Sequence, residues 1–402
     1  MNLDMLSKTV LDLNESASLK AAALAQKLIS EGRDIISFSI GEPDFNTPDA
    51  PSLEAIKAIT MGKTHYSNPQ GNLDLRKAIC DKLQRDNGLT YNTEEVIVGS
   101  GGKHIIYHTF LATINPGDEV IVPAPYWVSY PDIASLCGGT PVIVQPNPET
   151  LKLTAEELEK SLTSKTKWLV LNSPSNPTGA VYTEQELQDI AEVLRKHQNV
   201  LVLSDEIYEK FVYSPAKHLS LVNVAPDLKE RTLIVNGASK GYAMTGWRIG
   251  FGAGSSVLVT AIKKLISQTT TCPSSISQEA AKVAFSETQP SIMMRDSFQE
   301  RRDLAVAILS TSELLGEVSK PEGAFYLFLN LKNVVGRQTV AGKVLNVDDD
   351  VVEYLLEEAN VSTVSGSAYG FSPCLRISFA CSIEQITQGC QAIVDALASL
   401  KN

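Results

Sequence analysis

Short apolar runs alternate with helical stretches over the middle of the chain, from about residue 50 to residue 290. The apolar runs lie at 96–98, 119–122, 141–144, 168–171, 200–203, 232–235 and 249–253. Between them, apolar residues recur with helical spacing at 52–61, 72–86, 102–113, 128–137, 154–162 and 184–197. Short buried strands joined through helices need crossover connections, which are right-handed and cover both faces of the sheet. The pattern predicts an α/β fold with a mostly parallel central sheet flanked by helices.

The two ends of the chain have a different pattern. Residues 1–16 are predicted to form a polar arm, followed by a helix at 18–30 and a short strand at 35–40. After about residue 290 the pattern predicts a compact α+β unit. Its helices are predicted at 291–314, 348–359 and 383–399, and its strands at 324–329, 361–364 and 375–379. We therefore expect a large domain at 49–290 and a smaller domain built from residues 291–402 and part of the N-terminal segment 1–48.

Composition and charge narrow the class of protein. The 402-residue chain is 43% hydrophobic and 20% charged, which is typical of a globular enzyme, and its formal net charge is −11. An acidic chain is a poor partner for nucleic acid or for an anionic membrane surface, and no apolar run reaches membrane-spanning length. The six cysteines are scattered, without the paired spacing of zinc or redox motifs. These features predict a cytoplasmic protein with reduced thiols.

A glycine-rich segment follows the first predicted strand of the large domain. In open parallel sheets, ligands bind beyond the carboxyl ends of the strands. The segment reads Gly99-Ser100-Gly101-Gly102-Lys103 and opens a predicted helix. Backbone amides at a helix N-terminus attract an anion such as a phosphate. The segment fits neither a Walker loop nor a dinucleotide fingerprint, so it is either a phosphate site of another type or a simple turn.

Asp205 and Tyr208 follow the predicted strand at 200–203. A carboxylate at the end of a buried strand needs a partner, and a protonated pyridine nitrogen is the partner that pyridoxal phosphate offers. Tyr208, three residues later, is then placed to donate to the phenolic oxygen of the same ring. The alternative role for Asp205 is that of a helix N-cap.

Trp127 and Asn176 follow two other predicted strands. Trp127 either stacks on a planar ligand or fills the core. Asn176 lies between prolines in a rigid turn, which either fixes its amide toward a ligand or needs it only as a turn former. Each of these residues is a weak indication alone, but together they supply different parts of one binding site.

The segment from Asn236 to Arg248 carries the most specific chemistry. It places Lys240 directly after Ser239 and eight residues before Arg248, among small residues. Burial and a nearby cation both disfavour the ammonium form, so Lys240 is a candidate amine nucleophile. The serine hydroxyl and the guanidinium suit a phosphate, and the segment therefore indicates an anchor for pyridoxal phosphate. The alternative is an ordinary surface lysine in a glycine-rich loop.

Long motifs occur in order along the chain. They are Gly41-Glu42-Pro43-Asp44-Phe45, Pro123-Ala124-Pro125-Tyr126-Trp127-Val128-Ser129-Tyr130, Ser173-Pro174-Ser175-Asn176-Pro177-Thr178-Gly179, Ser204-Asp205-Glu206-Ile207-Tyr208-Glu209, the run from Ser239 to Gly250, and Leu375-Arg376-Ile377-Ser378. With them the chain resembles the class I and II aminotransferases, which are fold-type I pyridoxal-phosphate enzymes. More narrowly, it resembles the bacterial aspartate aminotransferase branch from about residue 11 to the C-terminus.

The resemblance implies a role for each matching residue around the cofactor. Lys240 would form the covalent imine with pyridoxal phosphate and move the proton between the substrate and the cofactor. Asp205 would pair with the ring nitrogen, and Tyr208 with Asn176 would hydrogen-bond the ring oxygen. The ring face would be covered by Trp127. The phosphate would be held by the backbone at Gly101, Gly102 and Lys103 and by the side chains of Ser239 and Arg248.

The resemblance also implies how substrate and a second subunit bind. Arg376 would grip the substrate α-carboxylate through two parallel hydrogen bonds, a geometry that suits a guanidinium. Gly41 would add a backbone contact to the same carboxylate, and Trp127 and Asn176 would line the substrate site. In this family Tyr66 reaches the phosphate of the neighbouring subunit, so a homodimer is expected.

No residue that would bind the distal carboxylate of a dicarboxylic substrate is evident from the sequence. In the bacterial aspartate aminotransferase branch a lysine in the helix after the glycine loop can bind this carboxylate, but residues 104–111 contain no lysine. His104 and His108 have i, i+4 spacing, yet they lack a third ligand and an H-E-x-x-H motif, so no metal site is expected.

The leading hypothesis is an aminotransferase that moves the amino group of L-aspartate to 2-oxoglutarate by a ping-pong mechanism. Acceptance of prephenate or aromatic substrates is a variant of it. Another fold-type I activity, such as a lyase, and a non-catalytic sensor of pyridoxal phosphate are the alternatives. The acidic charge and the early start of the resemblance argue against a DNA-binding sensor.

Overall fold

The computed structural model describes residues 5–11, 13 and 17–401. The polar arm predicted at 1–16 therefore lies partly outside the described residues. The strands are β1 Ile36–Ser37, β2 Val96–Gly99, β3 Glu119–Pro123, β4 Thr140–Val144, β5 Thr166–Asn172, β6 Leu201–Asp205, β7 Thr232–Gly237, β8 Gly250–Ala253, β9 Tyr326–Asn330, β10 Val361–Ser362, β11 Val364–Ser365 and β12 Cys374–Ser378.

The helices have the following bounds in chain order. They are α1 Lys8–Leu11, α2 Ala17–Ser30, α3 Asp49–Thr60, α4 Leu73–Asn87, α5 Gly102–Thr113, α6 Ser129–Leu136, α7 Ala155–Ser161, α8 Glu184–Lys196, α9 Leu221–Val224, α10 Ser256–Thr269, α11 Ser275–Ser286, α12 Gln289–Leu309, α13 Asp348–Glu358 and α14 Ile383–Ala398. In the part of the chain that the structure describes, none of them combines the length and the apolar character that a membrane span requires.

The central sheet has seven strands in the order β2-β8-β7-β6-β5-β3-β4. Strands β7, β6, β5, β3 and β4 are parallel to one another, which confirms the predicted mostly parallel sheet. Strand β8 runs antiparallel to both of its neighbours. It follows β7 through turns and without an intervening helix. A parallel return would need a long crossover, so the chain comes back in the opposite direction.

Local sequence explains why the flanking helices form where they do. Helix α8 is an example, because Thr183 and Glu186 form a reciprocal capping box at its first turn. Its buried side chains include Leu187, Ile190 and Leu194, which lie on one face and pack in the same core cluster as Leu169 of β5. Strand β5 is buried at most positions, as expected for a parallel strand covered on both faces.

The C-terminal part of the chain builds a separate antiparallel sheet in the order β11-β12-β9. Strand β1 from the N-terminal segment pairs with β10 in parallel. The Phe38 backbone continues this connection, because its amide donates to Ser362 and its carbonyl accepts from Ser378. This pairing supports our proposal that part of the segment 1–48 belongs to the small C-terminal domain.

Candidate active site

A cavity of about 500 Å³ lies where the carboxyl ends of the central strands face the small sheet. The sequence-predicted residues in its wall are Gly41, Gly102, Lys103, Trp127, Asn176, Asp205, Tyr208, Ser239, Lys240, Arg248 and Arg376. Gly101 lies just beyond this wall, against the Arg248 guanidinium. Tyr66 is not in the wall, and its side chain is 89% exposed. The structure thus brings together the predicted residues except Tyr66.

Lys240 lies in the connection between β7 and β8, with its side chain partly buried in the cavity wall. Its Nζ donates a hydrogen bond to the Gly41 carbonyl oxygen at 2.5 Å. Burial lowers the pKa of Lys240 to about 8, and the positive charges of Arg376 and Arg248 act in the same direction. Glu42 and Asp205 partly oppose this shift. The Lys240 amine therefore loses its proton at a pH closer to neutral than the amine of an ordinary lysine does.

Asp205 ends strand β6 and is only 5% exposed. Tyr130 donates its hydroxyl to Oδ2 at 2.7 Å, and the backbone N–H of Ile207 donates to Oδ1 at 3.2 Å. Burial raises the pKa of Asp205 to about 6 although both hydrogen bonds act to lower it. Neither partner is a cation, so a protonated ring nitrogen would supply the charge that this carboxylate lacks.

Two asparagines hold the edge of the cavity beside Asp205. Asn172 donates Nδ2 to the Asp205 carbonyl oxygen at 3.0 Å, and its Oδ1 accepts from the Asn176 amide at 2.8 Å. Asn176 in turn accepts a hydrogen bond from Arg376 Nη1 at 3.3 Å through its side-chain oxygen.

Tyr208 contacts the opposite side of the cavity. Its hydroxyl lies 2.7 Å from the hydroxyl of Tyr326, which belongs to strand β9 of the small sheet.

The N-terminus of helix α5 and Arg248 form an anion cradle at one end of the cavity. Gly101 precedes the helix with a φ of +90°, a conformation that suits glycine. A Cβ at Gly101 would overlap the Arg248 guanidinium, so a larger residue there would displace the arginine side chain from this position. The guanidinium donates to the carbonyl oxygens of Thr245 at 2.9 Å and Ser100 at 3.3 Å. A phosphate group fits this combination of helix N-terminus and cation.

Arg376 lies on strand β12 and is 2% exposed. Its Nη2 donates to the Ser39 carbonyl oxygen at 2.5 Å, and its guanidinium stands 4.6 Å from the ring centre of Tyr326. Its Nε has no hydrogen-bond partner among the described residues. A buried guanidinium whose partners are neutral oxygens is suited to bind a carboxylate from the cavity.

Tyr130, Tyr326 and the side chain of Lys103 also line the cavity, although no role was predicted for them from the sequence. Lys103 lines the cavity in the first turn of α5, and its Nζ lies 4.8 Å from the ring centre of Trp127. For Tyr130 the sequence did contain an indication of a role at the site, because it lies three residues after Trp127 in one motif. Tyr326 had none, because its contact with Tyr208 joins positions 118 residues apart.

The histidine pair of helix α5 has partners other than a metal. His104 Nε2 lies 3.1 Å from the Thr270 hydroxyl, and His108 Nε2 lies 2.8 Å from the Thr269 hydroxyl. These contacts tie α5 to the end of α10. Burial lowers the pKa of His104 to about 4, so its ring is neutral at physiological pH.

The chain matches the family model of aminotransferase class I and II over residues 33–393 and belongs to that family. It is therefore an aminotransferase, as the resemblance had indicated. It is 48% identical over 400 residues to a probable aspartate/prephenate aminotransferase of Rickettsia bellii, a match that covers 99% of this chain and 100% of the relative. It is 44% identical over 383 residues to an aspartate aminotransferase of Rhizobium meliloti, which covers 95% and 93% of the two chains.

Solved structures agree with this assignment of the fold. The crystal structure of the aspartate aminotransferase from Rhizobium meliloti superposes with a TM-score of 0.96 at 42% identity, covering 99% of this chain and 100% of that one. The aspartate aminotransferase from Thermus thermophilus with maleate superposes with a TM-score of 0.90 at 37% identity, covering 97% and 99%. The fold is thus that of the bacterial aspartate aminotransferases.

Proposed function

We propose that this aminotransferase uses pyridoxal phosphate and moves the amino group of L-aspartate to 2-oxoglutarate in a ping-pong reaction. The observation that carries the proposal is one cavity that contains a lysine amine of lowered pKa, a buried carboxylate and a buried guanidinium, at Lys240, Asp205 and Arg376. The names of the relatives, aspartate/prephenate aminotransferase and aspartate aminotransferase, support aspartate as the amino donor.

The cofactor would be held by residues of the central sheet and helix α5. Ser239, Arg248 and the backbone of Gly101 and Gly102, with that of Lys103, would hold its phosphate. Asp205 would face its ring nitrogen, Tyr208 and Asn176 its ring oxygen, and Trp127 its ring face. When bound, pyridoxal phosphate supplies the electron sink for the carbanion.

The residues of this chain then orient the substrate and move its proton. Arg376 would bind the α-carboxylate, with Gly41 beside it, and so fix the direction of the Cα–H bond. The amine of Lys240 would remove that proton and later return it, a transfer typical of general acid–base catalysis. Its hydrogen bond to the Gly41 carbonyl holds the amine at the side of the cavity where Arg376 would place the substrate.

Lys103 is our candidate for the distal carboxylate of aspartate and 2-oxoglutarate. The cationic side chains in the cavity wall are Lys103, Lys240, Arg248 and Arg376. Three of them have the other roles proposed above, which leaves the Lys103 ammonium. Its Nζ lies over the Trp127 ring in the cavity wall, and a second carboxylate bound in the cavity needs a cation.

A homodimer would complete the site through Tyr66. This residue is 89% exposed and lies outside the cavity of its own chain. Near it, helix α3 exposes Leu53 at 62%, Ile56 at 58% and Ile59 at 53%, followed by Met61 at 62%. Large apolar side chains with this exposure mark a protein interface. Sedimentation of the purified protein at twice the monomer mass tests the dimer, and a monomer would contradict it. The cytoplasmic location expected from the sequence stays a prediction.

Prephenate is a second candidate acceptor for the same site, because the Cereibacter sphaeroides relative, 44% identical over 397 residues, is named aspartate/prephenate aminotransferase. Measuring aspartate-dependent amination of prephenate beside that of 2-oxoglutarate decides whether the acceptor range is broad. If prephenate is not aminated, aspartate and 2-oxoglutarate remain the one proposed substrate pair.

The direct test is to assay the purified protein, saturated with pyridoxal phosphate, for oxaloacetate formed from aspartate and 2-oxoglutarate. Borohydride is expected to fix the cofactor on Lys240, and the Lys240→Ala variant is expected to lose about 10⁴-fold in rate because it lacks the general base. Turnover of a single amino acid without an oxo acid would indicate a lyase instead. Cofactor binding without any turnover would indicate a sensor.

A further inference from the structure

The turn that follows strand β6 presents polar side chains on two opposite faces. Asp205 and Tyr208 line the cavity, whereas Glu206 and Glu209 are buried on the other side of the turn. The Glu209 amide donates to the Glu206 carbonyl oxygen at 3.0 Å, which gives the turn a helical geometry. In such a turn residues three apart share a face, so each pair lies together.

Glu206 is 1% exposed and both of its carboxylate oxygens are engaged. The Ser204 hydroxyl donates to Oε1 at 2.8 Å, and His218 Nε2 lies 3.1 Å from Oε2. A carboxylate can only accept, so Nε2 carries the hydrogen. The Glu206 amide also donates to the Val235 carbonyl oxygen of β7 at 2.9 Å. The residue directly after Asp205 is therefore fixed from three directions.

Glu209 forms the second anchor of the turn. It makes an ion pair with Lys82 of helix α4, in which both side chains are almost fully buried, and it accepts a hydrogen bond from Asn87 Nδ2 at 2.7 Å. Burial alone would raise the pKa of Glu209, but the charges of Lys82, Lys210 and His218 outweigh it and lower that pKa to about 2. Glu209 thus stays ionised and tied to α4.

We propose that the Glu206–His218 and Glu209–Lys82 pairs are positioning groups, which hold the side chains of Asp205 and Tyr208 in the orientation that the bound cofactor needs. The inference rests on the proposed function, because the two pairs would act only through residues that we propose to bind the cofactor. On the cavity side, Asp205 is held by Tyr130 and by the amide of Ile207. The pairs behind the turn supply the further restraint that fixes the direction of both cavity-facing side chains.

The ligand-like grouping of Glu206, Glu209 and His218 needs no metal ion to explain it. Their ligand atoms lie within 4.8 Å of one another. The Lys82 ammonium already sits against Glu209 and donates to Asn87 Oδ1 at 2.8 Å. The Lys82 ammonium and the His218 N–H already bind the two carboxylates. We therefore assign the cluster a positioning role and not a metal-binding role.

A matched pair of variants tests the proposal. His218→Leu removes the donor to Glu206. His197→Leu removes a histidine whose Nε2 lies 3.0 Å from Glu159 Oε1 in a solvent-exposed pair that does not line the cavity. We expect His218→Leu to raise the dissociation constant for pyridoxal phosphate about tenfold, as typical for supporting residues of a site, and to shift the cofactor's visible band. His197→Leu should change neither.

The conservative His218→Gln variant should recover much of the binding and restore the band, because its amide can donate to Glu206. If His218→Leu does not fold, Glu206→Gln replaces it and is compared with His218→Gln. Both variants keep a side chain that can form hydrogen bonds. Wild-type affinity and an unchanged band in folded His218→Leu or Glu206→Gln would overturn the proposal. Absence of any cofactor band in the wild type would instead overturn the proposed function.

Discussion

The cavity has two walls that are built in different ways. One wall is formed by the carboxyl ends of the central strands, and it carries Asp205 and Lys240. The other wall is formed by the small sheet and the N-terminal segment, and it carries Arg376 and Tyr326 beside Gly41. In our proposal the first wall binds the cofactor and the second binds the substrate carboxylate.

The two walls differ in how far apart their residues lie along the chain. Asp205 is held by neighbours from adjacent strands and loops, such as Asn172 of β5. Arg376 instead bonds to Ser39, which lies 337 residues away. Lys240 and Gly41 join one wall to the other. We therefore expect that binding of the proposed cofactor and binding of the substrate can be altered largely separately.

The largest effect on the substrate wall is expected from Arg376→Leu. Removing a buried charged partner costs about 3–5 kcal/mol, which corresponds to a loss of about 10²–10⁴-fold in kcat/KM for aspartate. The cofactor's absorption band should change much less, because Arg376 acts on the cofactor wall only indirectly, through its hydrogen bond to Asn176 at 3.3 Å and its charge near Lys240. Arg376→Lys should recover only part of the activity, since an ammonium lacks the bidentate fork. A changed band with unchanged kcat/KM would contradict the division between the walls.

Lys103→Gln should alter the choice of substrate rather than the chemistry. Without the ammonium we expect kcat/KM for aspartate to fall about tenfold or more, as for loss of a charge-assisted hydrogen bond. The same constant for alanine, which has no distal carboxylate, should stay near its wild-type value. Steady-state rates with the two donors measure this, and equal losses for both would show that Lys103 does not read the second carboxylate.

Tyr130→Phe should weaken the cofactor wall alone. Asp205 would lose a hydrogen bond at 2.7 Å that lowers its pKa, so the pKa would rise above about 6 and the carboxylate would pair less well with a protonated ring. We expect the dissociation constant for pyridoxal phosphate to rise about tenfold, with KM for aspartate little changed. Titration of the cofactor-free protein measures the first quantity. A change confined to KM would be inconsistent with this role.

The smallest effect concerns stability without the cofactor. Burial lowers the pKa of Lys240 from 10.5 to about 8 in the folded chain. Between these two pH values the unfolded chain binds more protons, so stability should rise with pH across the window. The Lys240→Met variant should lose that rise. Melting temperatures of wild type and variant from pH 7.5 to about pH 10.5 check it, and parallel curves would refute the shift.

Much of the central fold could be predicted because its segments have one buried face or are buried throughout. The helix predicted at 184–197 is α8, and the strand predicted at 200–203 is β6. Helix α11 was not predicted, because residues on several sides of it are buried, including Gln278, Glu279 and Ala280, and this hides the helical period. The strand predicted at 361–364 is divided between two sheets, as β10 and β11 pair with different partners.

The cofactor wall was easier to predict than the substrate wall for a physical reason. Asp205 and Ser239 follow apolar runs, and such positions meet at one edge of a parallel sheet. Arg376 came from the resemblance alone, and Tyr326 had no local pattern. Their positions depend on contacts between distant segments, which a reading of neighbouring residues cannot detect.

The pairing of β1 with β10 has a consequence for synthesis on the ribosome. Residues 36–37 leave the exit tunnel early, but their partners at 361–362 are made only near the end of translation. The nascent chain can therefore assemble the central sheet while its first strand still lacks a neighbour. A chain that stops before residue 361 would contain Lys240 and Asp205 of the proposed cofactor site, but it would lack the strand that carries Arg376.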